Sequence, residues 1–144
     1  MPTLSKGAAK LREQMNVRFP KRDTRSDGWV ASAAHHKQNP TSDHEPDKNG
    51  IVHAIDIDKD FGDPKKDMAE QLANELRIYA KSGRKGSDRL KYVIYNKRIA
   101  SPREDWKWRP YSGPNPHTGH LHVSVTEASD KDGSKWPLDI FKVA

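Results

Sequence analysis

One stretch of this chain repeats its apolar residues at helical spacing and only three short runs read as strands, so the choice of folds is narrow. Met68, Leu72, Leu76 and Tyr79, joined by Ala69, Ala73 and Ala80, recur every three or four residues to about Ser82, where Gly83 supplies a stop. Asp63-Pro64 upstream makes a helix start, an N-cap with proline at the first helical position. That apolar stripe is core. The strand-like runs are Gly50–Asp58, Leu90–Asn96, onto which Arg98-Ile-Ala pairs back, and His120–Val125. A shorter amphipathic helix over 5–18 puts Ala8, Leu11 and Met15 on one side. Pro20–Asn49 is polar and loop-like, a Trp-rich loop runs from Ser101 to Thr118, and Trp136–Val143 packs the C-terminal end. Strands and helices are interspersed without regular βαβ repetition. The expected class is α+β, a small antiparallel sheet with flanking helices and long loops.

At 144 residues the chain is sized for one domain, 1–144, with a single modest core. Hydrophobic residues are 33% and charged residues 32%, so that core is lean. No stretch approaches the ~20 apolar residues that span a bilayer, so no membrane insertion is expected. Residues 1–20 carry no apolar run of the kind a secretory signal needs, so synthesis and accumulation in the cytoplasm are expected. With no cysteine there is no disulfide framework, no thiolate-bound zinc and no thiol nucleophile. Any metal must be held by histidine and carboxylate. The net charge of +6 suits an anionic partner, nucleic acid or bacterial cell wall, without choosing between them. Arg84, Lys85, Arg89 and Lys91 read as a small solvated basic patch, and nothing calls for more than a monomer.

Chemistry gathers around the seven histidines: His35, His36, His44, His53, His117, His120 and His122. On a strand, residues two apart share a face, so His120 and His122 point one way while Leu121, Val123 and Val125 point into an apolar layer. Such a face holds either a metal or merely a polar, solvated surface. In the earlier strand, Val52, Ala54, Asp56 and Asp58 alternate with Ile51, His53, Ile55 and Ile57, and the Ile-rich side is the core side. His53 is then a packed or edge histidine. Asp56, among small residues in mid-strand, needs a partner or a cation, whereas Asp58 near the strand end is solvated. If the loop carrying Thr41-Ser-Asp-His44 folds back, His44 meets Asp56 and His122. Two imidazoles and one carboxylate are the protein ligands of a catalytic zinc site with an open fourth position.

Three motifs in order, Ser42-Asp43-His44, Gly50-Ile-Val-His-Ala-Ile-Asp56 and His117-Thr-Gly-His120-Leu-His122, resemble the zinc D-Ala-D-Ala carboxypeptidases and related murein peptidases. These form an M15-like group that includes phage endolysins and the hedgehog signalling domain. The version Asn-Pro-His-Thr-x-His-x-His-Val-Ser-Val is similar to that of an actinobacterial and phage subgroup. The resemblance spans about residues 25–125 and implies a hedgehog/DD-peptidase-like fold. It implies one zinc ion on His44, Asp56 and His122, with His120 and His117 as the catalytic pair. His120 would be the base or an oxyanion stabiliser, and His117 would lie near the reacting carbonyl. Arg25 resembles an upstream arginine that grips substrate carbonyl or carboxylate groups, and Ser42 would support the first ligand. Trp106, Trp108 and Tyr111, just before the histidines, would either line a groove for a peptide stem or glycan strand or plug the core beneath the loop.

Two departures from the family pattern shape these expectations. The twelve positions from His44 to Asp56 are more than usual, so Glu45–Asn49 looks inserted. Gly119 stands three before His122, where other branches carry a catalytic carboxylate, so proton transfer falls to a histidine, whose reference pKa near ~6.5 suits it. The function implied is hydrolysis of peptide bonds in bacterial peptidoglycan stems or cross-links, by a lysin that reaches the wall after release or as part of a phage particle. The competing classes are a metal-dependent nuclease and a non-catalytic wall-binding module of the same fold. Basic residues scattered away from the histidines disfavour nucleic acid, and the retained His117 and His120 disfavour the module.

Overall fold

The computed structural model describes residues 2–25, 27–29, 42–63, 66–113 and 117–142; His35, His36, Pro64, Asn115, Pro116 and Val143 lie outside them. Strand β1 (Thr3–Leu4) leads into helix α1 (Lys6–Arg18), followed by β2 (Ile51–Val52), β3 (Ala54–Asp58) and helix α2 (Met68–Ser82). Strands β4 (Leu90–Tyr95), β5 (Arg98–Ala100), β6 (Arg109–Pro110) and β7 (His120–Val125) complete an antiparallel sheet ordered β3-β7-β4-β5-β6. The described residues therefore form an α+β fold, with two helices on a small antiparallel sheet. A parallel pair, β1 on β2, stands apart from that sheet. Strands of two residues carry no periodicity to read, so β1 and β6 were not expected.

Helix α2 keeps its expected stripe, with Ala69, Leu72, Ala73, Leu76 and Tyr79 buried, and ends on Gly83 in the left-handed conformation that favours glycine. Its start differs from the Asp63-Pro64 expectation. Asp67 is the N-cap, its carboxylate accepting from Glu70 N at 3.0 Å, and Asp-x-x-Glu is itself an N-terminal signature. The Asp67 carboxylate also accepts from the Tyr95 hydroxyl at 3.0 Å, which ties the helix start to β4.

The sheet has an apolar core face and, opposite it, a histidine-bearing face. Ile55, Ile57, Leu121, Val123, Val125 and Val93 join the helices in one apolar cluster. Two irregularities set which residues reach it. A register shift between Leu90 and Tyr92 lets Leu90 and Val93, three apart, both enter the core. Likewise the ladder breaks at His53, so Val52 is fully buried in the cluster with Ile55 rather than on the Asp56 side as strict alternation expects. The cause lies in the backbone of His53, whose N–H donates to the Asp43 carbonyl (3.1 Å) and whose carbonyl accepts from Val125 N (2.8 Å).

Trp136 locks the C-terminal segment to both helices. Its indole N–H donates to the Gly7 carbonyl at 2.9 Å and its ring meets Tyr79 edge-on. Gly7 is needed for this close approach, since a Cβ there would collide with the Ser129 side chain. Arg89, expected in a solvated patch, is fully buried. Its guanidinium lies 3.9 Å from the Trp136 ring centroid and donates to the carbonyls of Gly86, Asp132 and Ser134. Burying a cation is tolerable only with such partners.

Candidate metal centre

The face opposite the core carries a cluster of histidines, and His44, His117 and His122 are buried there. Residues directly opposite in an antiparallel pair share a face, and the β3–β7 register sets Asp56 against His122 and Asp58 against His120. His122 Nδ1 lies 3.1 Å from Asp56 Oδ1, and His120 Nε2 lies 3.7 Å from Oδ2. Tyr92, from β4 on the other side of β7, stacks nearly parallel on the His122 ring at 5.4 Å. Ser124, two residues on along the same face, places Oγ 2.7 Å from His122 Nε2.

His44 arrives from a loop that is pinned on both sides of it. The Asp43 carbonyl takes the His53 N–H, and the Asp43 carboxylate pairs with Lys91 at 2.9 Å. Ser42 Oγ accepts from His44 N at 3.2 Å. The ring then reaches Asp56, Nε2 lying 3.3 Å from Oδ2, and meets His122 edge-on at 5.0 Å. The Glu45–Asn49 loop closes as a turn on Asp47, whose carboxylate accepts from Asn49 N and Ile51 N.

His117 sits at φ +55°, a left-handed conformation rare outside glycine though enriched for histidine and asparagine. Its carbonyl is held at 2.8 Å by Asn96 N from the β4–β5 turn. The ring packs 4.9 Å from His120, 5.4 Å from His122 and 5.6 Å from Tyr111. The structure thus brings together six expected residues: His44, Asp56, His122, His120, His117 and Tyr111. Arg25 is exposed and paired with Asp23 at 2.8 Å. Trp108 lies on α2, its indole donating to Asn74 at 2.7 Å and its face covered by Arg77 and Arg98, while Trp106 is buried in the core. His53 is a paired histidine, 2.9 Å from Asp130. Asp58 is buried rather than solvated, because its carboxylate accepts from Asp60 N and so closes the turn after β3.

Electrostatics explain why these donors suit a cation. Burial alone would raise the Asp56 pKa, but hydrogen bonds from His122 and His44 and their charge outweigh it, leaving the carboxyl well below its usual range. Burial also holds His122 below its ordinary value, so its imidazole is neutral near pH 7. His44 behaves differently. Burial pulls its pKa down, yet the hydrogen bond and charge of Asp56 lift it above 6.5. The reason is visible in the tautomer: Nδ1 donates to the Trp29 carbonyl at 3.1 Å, so a neutral His44 would turn a lone pair at the Asp56 carboxylate. A proton or a metal ion must lie between them.

One donor atom each from His44, Asp56 and His122 fall within 4.8 Å of one another, so these residues could hold a metal ion. Both imidazoles already have outer partners, the Trp29 carbonyl and Ser124 Oγ, of the kind that orient metal-bound histidines. Removing Ser124 Oγ in Ser124→Ala should weaken metal affinity about 10- to 100-fold without unfolding the protein, measured by competition with a chromogenic chelator. An unchanged affinity would show that Ser124 does not orient His122.

Proton competition gives a second expectation. Asp56 is ionised and His122 neutral near pH 7, so of the three residues His44 is the one that would give up a proton to a metal ion. Apparent metal affinity should fall about tenfold per pH unit below the His44 pKa and level off above it. A calorimetric titration across a series of buffers of rising pH reads the dependence, and a flat profile would contradict the His44 assignment. Sequence reasoning missed Ser124, Tyr92 and the Trp29 carbonyl. Only Ser124 left a signal, the i, i+2 spacing from His122.

Beside the centre, Arg12, Asp27, Gly28, Trp29, Ile55, Asp56 and Ile57 line a cleft of about 350 Å³. Arg12 sits over Trp29, 5.9 Å from its ring centroid. No helix among the described residues is long and apolar enough to cross a membrane. Comparison with known proteins yields no matching family model, no matching curated relative and no matching solved structure.

Proposed function

We propose that this chain is a zinc-dependent peptidase, of the M15-like murein peptidase type and hedgehog/DD-peptidase-like in fold, that hydrolyses peptide bonds in the stems or cross-links of bacterial peptidoglycan. The observation that carries the reading is the convergence of His44, Asp56 and His122 from three separate segments, with the catalytic pair His120 and His117 against them. Two imidazoles and one carboxylate suit zinc and leave a position open for substrate. A zinc ion bound there supplies a Lewis acid for the scissile carbonyl and lowers the pKa of its water to about 7.

The remaining work falls to the chain's own groups. His120 Nε2 is buried with no hydrogen bond among the described residues, which leaves it available to take the proton of the attacking water and return it to the departing amine. His117, ring against ring with His120, donates to the carbonyl oxygen as negative charge develops there. Tyr111 holds the His117 ring from its outer side. Trp29 and Arg12, which line a cleft together with Asp56, offer an aromatic surface and a guanidinium for a substrate carboxylate or carbonyl. Arg25 is free of the cluster and available only to the outer part of a peptide. A monomer suffices for all these roles, and the peptidoglycan assignment rests on the motif resemblance.

The test is release of free amino groups from purified peptidoglycan, with a chelator and with zinc restored. Release that stops with chelator and returns with zinc supports the reading, and the new termini name the bond. No release at any metal loading overturns it. Steeply salt-dependent DNA cleavage by the same protein would then favour a nuclease.

A further inference from the structure

The histidine-bearing face holds more donors than one ion needs. Asp56, His117 and His120 form a second group whose donor atoms also fall within 4.8 Å, and it shares Asp56 with the first. His120 Nε2 points at Asp56 Oδ2 from 3.7 Å, too far for a hydrogen bond, and is buried without another partner among the described residues. Buried polar atoms in folded proteins are rarely left so. His117 completes the group from a strained backbone. Its left-handed φ, held by Asn96, carries the ring between His120 and His122 instead of out to solvent.

We propose that the centre accepts a second divalent cation between Asp56, His117 and His120, and that this second ion is inhibitory. The inhibitory part rests on the hydrolytic reading above, because the ion would occupy the His120 lone pair that proton transfer requires; the binding part does not. One carboxylate then serves two dications. Their repulsion makes the second ion bind more weakly than the first, so the sites fill in sequence as metal rises. Low loading gives the one-ion form, and excess metal gives the two-ion form.

The experiment is a zinc titration of the full chain by calorimetry, with elemental analysis of the bound metal. It is run in a His53→Gln background, so that the separate Asp47, His53 and Asp130 group cannot take up ions. Two classes of site are expected. The weaker class should vanish in His120→Gln and in His117→Asn, whose new side chain tolerates the left-handed backbone, while the stronger class stays within about threefold of its affinity. Amino-group release should peak near one equivalent of zinc and decline as the weaker class fills. A single class of site in both parent and His120→Gln overturns the proposal, whether or not the one-ion form is active. Two classes with undiminished release overturn the inhibitory role. Two classes with no release at any loading support the second site and count against the hydrolytic reading instead.

Discussion

His122→Ala is expected to abolish metal binding and peptide hydrolysis together. The substitution removes the Nδ1 that faces Asp56 Oδ1 at 3.1 Å, and leaves Ser124 and Tyr92 without the ring they hold. Losing an outer partner of a metal ligand commonly costs 10- to 100-fold in affinity, so losing the ligand itself should cost more than ~100-fold. Activity should fall to background at zinc concentrations that saturate the parent. The fold should persist, because Leu121 and Val123 on either side of His122 point into the core face and are untouched. Asp56 loses one hydrogen bond, a penalty on the order of 1–3 kcal/mol, so a modest drop in melting temperature of the metal-free protein should accompany the loss. Circular dichroism and a zinc titration read the two effects apart. Parental zinc affinity in this variant would remove His122 from the ligand set.

The opposite separation is expected for His120→Ala. His44, Asp56 and His122 remain in place, so the first equivalent of zinc should bind within about threefold of the parent, while turnover falls by roughly 10²- to 10⁴-fold, the usual range for a positioned acid or base. The loss should appear in kcat rather than KM, because no contact to bound substrate is assigned to this ring before proton transfer begins. Hydrolysis at the parental rate would show that His120 carries no proton.

Periodicity made the scaffold of this centre legible. The α2 stripe and the alternation of β7 depend only on local spacing, and both stand in the structure, with Met68 and Ala80 at the edge of the stripe only partly buried. The Asp56–His122 contact needs the register of β3 on β7, which no single-strand pattern encodes, and His44 reaches it from a loop whose course depends on Asp43, His53 and Trp29. Those three residues could be picked out from the sequence by motif resemblance, and their meeting is a property of the fold. Other departures share one cause, side chains or backbone satisfied by backbone carbonyls and amides rather than by solvent. Arg89 is buried because the carbonyls of Asp132 and Ser134 come to it, some forty residues along the chain. Asp58 is buried because it closes its own turn, and Val52 faces the core because the ladder breaks at His53. None of these has a period or a composition that marks it in advance.

The most direct check on the centre is zinc X-ray absorption of the protein loaded with one equivalent of metal. Two imidazole nitrogens and one carboxylate from the protein are expected at about 2.0–2.2 Å, with one position left to solvent, and one imidazole should be lost in His44→Ala. A shell of three or four imidazoles, or one unchanged by His44→Ala, would contradict this expectation, because His44, Asp56 and His122 would then not be the ligand set.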